Sequence, residues 1–184
     1  MYNTFAKILN MLQFDTIDYL KTGNVLQQQA YMILTSEGIL QRLEKFTPVL
    51  AGTIPININI EGSDLDVLCC FENAEEFAAV LNNAFQQHKQ YILRKKEIDG
   101  IPAIIASFFI EGLKIEIFGQ ALPVKEQNGY RHMISEHNIL KEKGETFRKE
   151  IIRLKRSGLK TEPAFALLLG IEGDPYKALL DYGR

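Results

Sequence analysis

The sequence predicts an α/β chain, in the α+β sense, in which a small mixed β-sheet has helices before and after it. Two observations predict it. Between Pro48 and Phe118 short β-rich runs follow one another, "PVLAG", "ININI", "LDVLCCF", "YILRKKE", "IPAIIASFFI" and "LKIEIF", whereas both flanks carry apolar residues at helical spacing. The 184 residues, 46% apolar and 24% charged, are enough for one ordinary core. We therefore expect a single domain over residues 1–184, with a helical preamble (1–46), a sheet (47–122) and C-terminal helices (123–184).

Each element has its own local reason. From Phe5 to about Phe46, Leu26, Ala30, Ile33 and Leu34 recur at helical spacing, as do Ile39, Leu40 and Leu43, with Gly23 and Gly38 as breaks. A helix over 73–87 interrupts the strands. Asn73 can cap its first free N–H groups, and Glu76 can reach back to the cap. Glu111 and Gly112 separate two strand-like runs by two residues, which predicts a tight antiparallel hairpin. After Pro123, "HMISEHNILKEK", "TFRKEIIRLKRS" and "EPAFALLLG" read as helices punctuated by Gly144, Gly158 and Pro163. A last short helix starts near Pro175 behind an Asp174 cap.

Charge and cysteines narrow the function classes. A net charge of −2 argues against a general basic surface for nucleic acid, so any such contact would be local. Cys69 and Cys70 are adjacent in a strand-like run and point to opposite faces, so they cannot pair. That fits a reducing compartment. The N-terminus has no signal-peptide pattern, and no apolar stretch approaches the ~18 residues of a spanning helix. The expectation is a soluble, cytoplasmic protein with no membrane partner.

The most informative stretch is "AGTIPININIEGSDLDVLCC", residues 51–70. If "DLDVLCCF" is a strand, Asp64 and Asp66 share one face with Cα atoms ~7 Å apart, near enough to reach one cation. In "LKIEIF" the same period sets Lys114, Glu116 and Phe118 opposite Leu113, Ile115 and Ile117. Glu116 is then an acid among apolar neighbours, which is costly without a proton, a cation or hydrogen-bond donors. Three carboxylates from two strands make a hard oxygen-ligand site suited to Mg²⁺ or Mn²⁺. Two such ions ~4 Å apart would stabilise both oxygens of an in-line phosphoryl displacement.

Gly52-Thr53, nine residues, then Ser63-Asp64-Leu65-Asp66 resembles the signature of the nucleotidyltransferase superfamily, with Glu116 in the place of its third acid. More narrowly, "GTIPININIEGSDLD", "YRHMISEH" and "TEPAFALLLGIEGDPYKALL" resemble an uncharacterised bacterial domain-of-unknown-function family within it. The resemblance implies a nucleotidyltransferase-like fold and transfer of a nucleotidyl group from a nucleoside triphosphate to a hydroxyl or phosphate acceptor, whether small molecule, protein or RNA. Asp64, Asp66 and Glu116 would be the catalytic, metal-holding acids. Gly52, Thr53, Ser63 and Arg131 would face the nucleotide, with Gly52 admitting the triphosphate and Thr53 offering a hydroxyl. Thr53 replaces the usual serine, and the strand-like "IPININI" stands where many relatives have an arginine-bearing helix. No basic residue lies between Gly52 and Asp66. The alternative is a catalytically inactive nucleotide-binding or partner-binding module on the same fold.

Three other features have plainer readings. His132 and His137, five residues apart on a helix, are poorly spaced to share a metal and read as packing or capping residues. Arg131 beside Tyr130 is either a surface arginine or a phosphate grip with an aromatic ring to stack on a base. Arg148, Lys149, Arg153, Lys155, Arg156 and Lys160, balanced by Glu145 and Glu150, read as a solvated helix face.

Overall fold

The computed structural model describes residues 13–182. The predicted preamble before residue 13 lies outside them. From there a 3₁₀ turn (Asp18–Thr22) leads to α1 (Val25–Ser36), the short α2 (Ile39–Arg42) and a second 3₁₀ turn (Glu44–Phe46). Helix α1 starts where it does because Asn24 and Gln27 form a reciprocal capping box. Gly23 and Gly38 fall at the breaks, as expected.

Five strands make one mixed sheet: β1 (Val49–Ala51), β2 (Leu65–Cys70), β3 (Lys89–Ile98), β4 (Ile101–Ile110) and β5 (Leu113–Gln120). Their spatial order is β1-β2-β5-β4-β3, with β2 and β5 parallel and the other neighbours antiparallel. Asp99–Gly100 and Glu111–Gly112 close the two hairpins, all four residues having positive φ. Two-residue turns with this geometry match the twist of the flanking strands. The Asp-Gly dipeptide was as readable a signal as the second turn.

Helix α3 (Ala74–Phe85) connects β2 to β3 and is capped by the Asn73 side chain, which accepts from the Glu75 and Glu76 N–H groups. The expected return bond from Glu76 is replaced by an ion pair with Lys45. After a third 3₁₀ turn (Val124–Glu126) come α4 (Asn128–Arg156), α5 (Thr161–Leu169) and α6 (Pro175–Asp181). Gly144, at φ 77° and ψ −170°, breaks α4 into two helical halves. Pro163 lies in the first turn of α5, where its missing N–H costs nothing. The Asp174 side chain accepts from the Tyr176 N–H, the predicted cap. Among the described residues no helix is long and apolar enough to cross a membrane.

The sheet separates two hydrophobic cores. Leu65, Val67 and Cys69 of β2 and Ile115 and Ile117 of β5 join α1–α3 in one, whereas Leu68, Cys70 and Phe118 join α4–α6 in the other. Cys69 and Cys70 thus face opposite ways and are both free.

One predicted element is absent. "ININI" is no strand: Thr53–Asn57 form turns, and Asn57 has φ 58°. The alternation of isoleucines has another cause, because Ile54 enters the first core while Ile56 and Ile58 enter the second. Period-2 burial came from a loop running between two cores.

Gly119 shows how tightly the first core closes on β5. A Cβ there would lie 2.3 Å from Cε1 of Phe77, a fully buried ring that also packs on Phe46 and Phe71. Gly119→Ala should lower stability by about 1–3 kcal/mol, the usual cost of overpacking. Urea melts at constant m-value would measure it.

Candidate active site

The acids emerge on the sheet face that α4 covers. Strand register sets Asp66 directly opposite Glu116 in the parallel β2–β5 pair, with Ala51 on its other side. Two carboxylates side by side on one face repel, and burial adds to the cost of charging them. Asp66 is pushed up to about 8, by burial first and then by Glu116 and Asp64. Lys114 and Lys155 pull the other way.

Gly52 leaves β1 at φ 78°, and a Cβ on it would come within 2.1 Å of Asp66 Oδ2. Only glycine lets the backbone pass this close to the carboxylate. Gly52, Thr53, Asp66, Glu116 and Arg131 all line one cavity of about 600 Å³. The Arg131 guanidinium donates to the Asn128 side chain at 3.2 Å. Its neighbour Tyr130 is buried in the second core, so the ring cannot stack on a bound base.

Asp64 and Ser63 lie elsewhere. Both line a neighbouring groove of about 630 Å³ together with Lys114. The Ser63 hydroxyl accepts from the Ile60 N–H at 2.9 Å and so shapes the turn before β2. Asp64 accepts from the Lys114 ammonium at 2.6 Å, and that ammonium sits 3.9 Å from Glu116 Oε2. The hydrogen bond to Asp64 raises the Lys114 pKa. Lys114 therefore bridges the groove and the cavity, at a point of concentrated negative charge.

Sequence reasoning did not bring together a second set of groups in the same cavity. His132 and Glu136 are four residues apart on α4, hence on one face, and Glu162 comes from α5. One ligand atom from each lies within 4.8 Å of the others, and all three residues line the cavity. Burial lowers the His132 pKa, and burial followed by Glu162 raises that of Glu136 well above the usual carboxylate range. His132 was expected to pack or cap; it is buried in the cavity wall and its ring meets Tyr176 edge-on at 6.3 Å. The i, i+4 spacing was the available signal, but no local signal linked Glu162 to it. His137 packs edge-on against Phe14 at 5.0 Å, as a packing residue should.

In the basic run Lys149, Arg153, Arg156 and Lys160 are exposed, as expected of a solvated face, whereas Arg148 and Lys155 turn inward. Arg148 donates to the carbonyls of Ile56 and Asn57, buried Lys155 donates to that of Ile58 at 2.7 Å, and Arg156 pairs with Glu61. Burial moves Lys155 down to about 8 while Glu136, Glu162 and Asp66 resist that shift. Arg148 and Lys155 thus satisfy carbonyls of a loop that is partly withdrawn from water, a requirement invisible in the helix's own pattern.

The model of the DUF4269 family, a domain of unknown function, matches residues 32–182. The chain belongs to that family. Among solved structures, this DUF4269 chain is similar to the Cid1 poly(U) polymerase bound to Mg 3′-dATP, at 10% identity and a TM-score of 0.52, over 83% of this chain and 48% of that one. It is similar also to the MgGTP-bound form of the same polymerase, at 11% identity and a TM-score of 0.50, over 70% of this chain and 42% of that one. The chain thus spans less than half the length of these proteins. At such identity the likeness shows a shared nucleotidyltransferase-like fold. No curated protein matches the DUF4269 chain.

The Asp66 shift has a measurable consequence in the metal-free protein. A carboxyl whose pKa is raised on folding holds its proton longer in the folded than in the unfolded chain, so it costs stability as pH rises from about 4 to about 8. Asp66→Asn should remove that cost. In thermal melts with chelator present, its advantage over the wild type should grow from pH 5 to pH 8, reaching on the order of 1–3 kcal/mol.

Proposed function

We propose that this DUF4269 chain is a metal-dependent nucleotidyltransferase that moves a nucleotidyl group from a nucleoside triphosphate to a hydroxyl or phosphate acceptor. The acceptor belongs to a small molecule, a protein or an RNA. One observation carries the reading: Asp66 and Glu116 stand in register beside the Gly52 backbone, in the wall of a cavity of nucleotide size. The fold shared with a polymerase whose solved structures hold MgGTP and Mg 3′-dATP supports the same ligand class.

The donors fit Mg²⁺ or Mn²⁺. Asp64, Asp66 and Glu116 offer only hard carboxylate oxygens, and the Lys114 ammonium already answers the charge of two of them. For all three to hold one cation Lys114 has to leave Asp64, and with its side chain 36% exposed it has room to do so. When bound, the metal offsets the phosphate charge and makes an acceptor hydroxyl more acidic.

The chain's own residues do the rest. Gly52 keeps space for phosphate oxygens beside Asp66, the Thr53 hydroxyl donates to them, and Arg131 supplies a guanidinium from the cavity wall. Ser63 supports the turn that brings Asp64 to β2 and is the nucleotide contact on the groove side. Glu116 accepts the proton of the acceptor hydroxyl as its oxygen bonds to the α-phosphorus, the bond to the β-phosphate oxygen breaks, and pyrophosphate leaves.

The Lys114–Asp64 pair also favours a second reading, a nucleotide-binding or partner-binding module without turnover. There an ammonium fills the role of the cation. Nucleotide binding that needs no divalent metal would favour it.

The deciding experiment incubates the chain with each labelled nucleoside triphosphate, Mg²⁺ or Mn²⁺ and cell extract. Label should pass to an acceptor, and Asp66→Ala and Glu116→Ala should each reduce transfer on the order of a thousandfold while leaving the fold intact. Full transfer by Asp66→Ala would sink the mechanism.

A further inference from the structure

We propose a second cation site in the wall of the same cavity, formed by His132, Glu136 and Glu162 and suited to a transition-metal dication of the Zn²⁺ type. It stands on the α4–α5 residues alone and does not depend on nucleotidyl transfer.

Geometry comes first. His132 and Glu136 lie on one face of α4 at i, i+4, and Glu162 lies in the first turn of α5, so the three ligands tie two helices together. Their nearest ligand atoms all lie within 4.8 Å of one another. A cation ~2.1 Å from each donor needs donors ~3–3.5 Å apart, a contraction that side-chain torsions can supply. Glu162 is only partly buried, so it has the freedom to close.

An independent sign is the imidazole itself. His132 is 8% exposed, and its Nδ1 is buried without a hydrogen-bond partner. A polar atom left so is expensive, and a cation ligated at Nδ1 removes the deficit. Lys155, whose ammonium acts on Glu136, donates to the Ile58 carbonyl at 2.7 Å and makes no hydrogen bond to His132 Nδ1.

The donor set selects the ion. One imidazole with two carboxylates suits Zn²⁺ or a similar transition dication better than Mg²⁺, which takes oxygen ligands and keeps its waters. The two predicted strand acids in this cavity, Asp66 and Glu116, offer no nitrogen, so the two sites differ in the metals they prefer. A cation on α4 and α5 would place fixed positive charge in a cavity that otherwise has Arg131 as its basic wall residue among the described residues.

Co²⁺ serves as the probe, because the low coordination number of a Zn²⁺-type site gives it visible absorption much stronger than that of the octahedral aqueous ion. The whole chain, stripped with chelator, is titrated at about pH 7.5, with circular dichroism to verify the fold of every variant. Wild type and the Asp66→Asn/Glu116→Gln double variant should both develop the absorption at one equivalent. Glu162→Ala should weaken that binding at least tenfold, and His132→Asn should abolish the absorption. Since Glu162 is partly exposed, its variant decides the matter even if His132→Asn does not fold. No absorption in folded wild type, or absorption that survives Glu162→Ala and disappears in the double strand variant, would overturn the proposal.

Discussion

Between its two cores the chain runs a loop, Thr53–Ile60, whose buried backbone has to be satisfied, and much of the molecule is arranged to do so. Buried carbonyls without partners are rare in proteins because each costs the loss of its hydrogen bonds to water. Gln27 at the start of α1 donates to the carbonyl of Ile54 at 2.8 Å. Arg148 and Lys155 on α4 donate to those of Ile56, Asn57 and Ile58. Helices from both ends of the sequence are thereby anchored to one loop, and the loop in turn fixes Gly52 and Thr53 beside the acids.

That anchoring explains the charge pattern around the cavity. Lys155 reaches inward because a carbonyl needs it, and its burial places an ammonium near Asp66, Glu136 and Glu162. A cationic group in such surroundings lowers the cost of acids that would otherwise resist ionising. Lys114 plays the corresponding part on the groove side, between Asp64 and Glu116. The concentration of carboxylates is thus supported by two lysines on different elements, and it faces a cavity large enough for a nucleotide.

Much of the fold was legible because its signals are local. The cap at Asn73, the turn at Glu111–Gly112, the break at Gly144 and the alternation in "LKIEIF" each need only a few neighbouring residues. "ININI" misled for a physical reason: a loop between two cores buries Ile56 and Ile58 on either side of an exposed Asn57, as a strand would. The basic run was read correctly at Lys149, Arg153, Arg156 and Lys160, which are exposed, and missed at Arg148 and Lys155, since a helix wheel shows a charged face but not the loop carbonyls that two of its residues meet. His132 was weighed against His137 when its spatial partners were Glu136 and Glu162.

By itself the sequence determined most of the elements and the face on which Asp66 and Glu116 project, because helix period and strand period are local properties. Only the tertiary structure decided that β2 and β5 run parallel in the register that sets Asp66 against Glu116. It alone separated Asp64 and Ser63 into a neighbouring groove and drew His132, Glu136 and Glu162 from two helices into one wall. Such arrangements depend on which faces meet across long stretches of chain, and that is settled by burying two cores at once while pairing the carbonyls of Ile54, Ile56 and Ile58 between them.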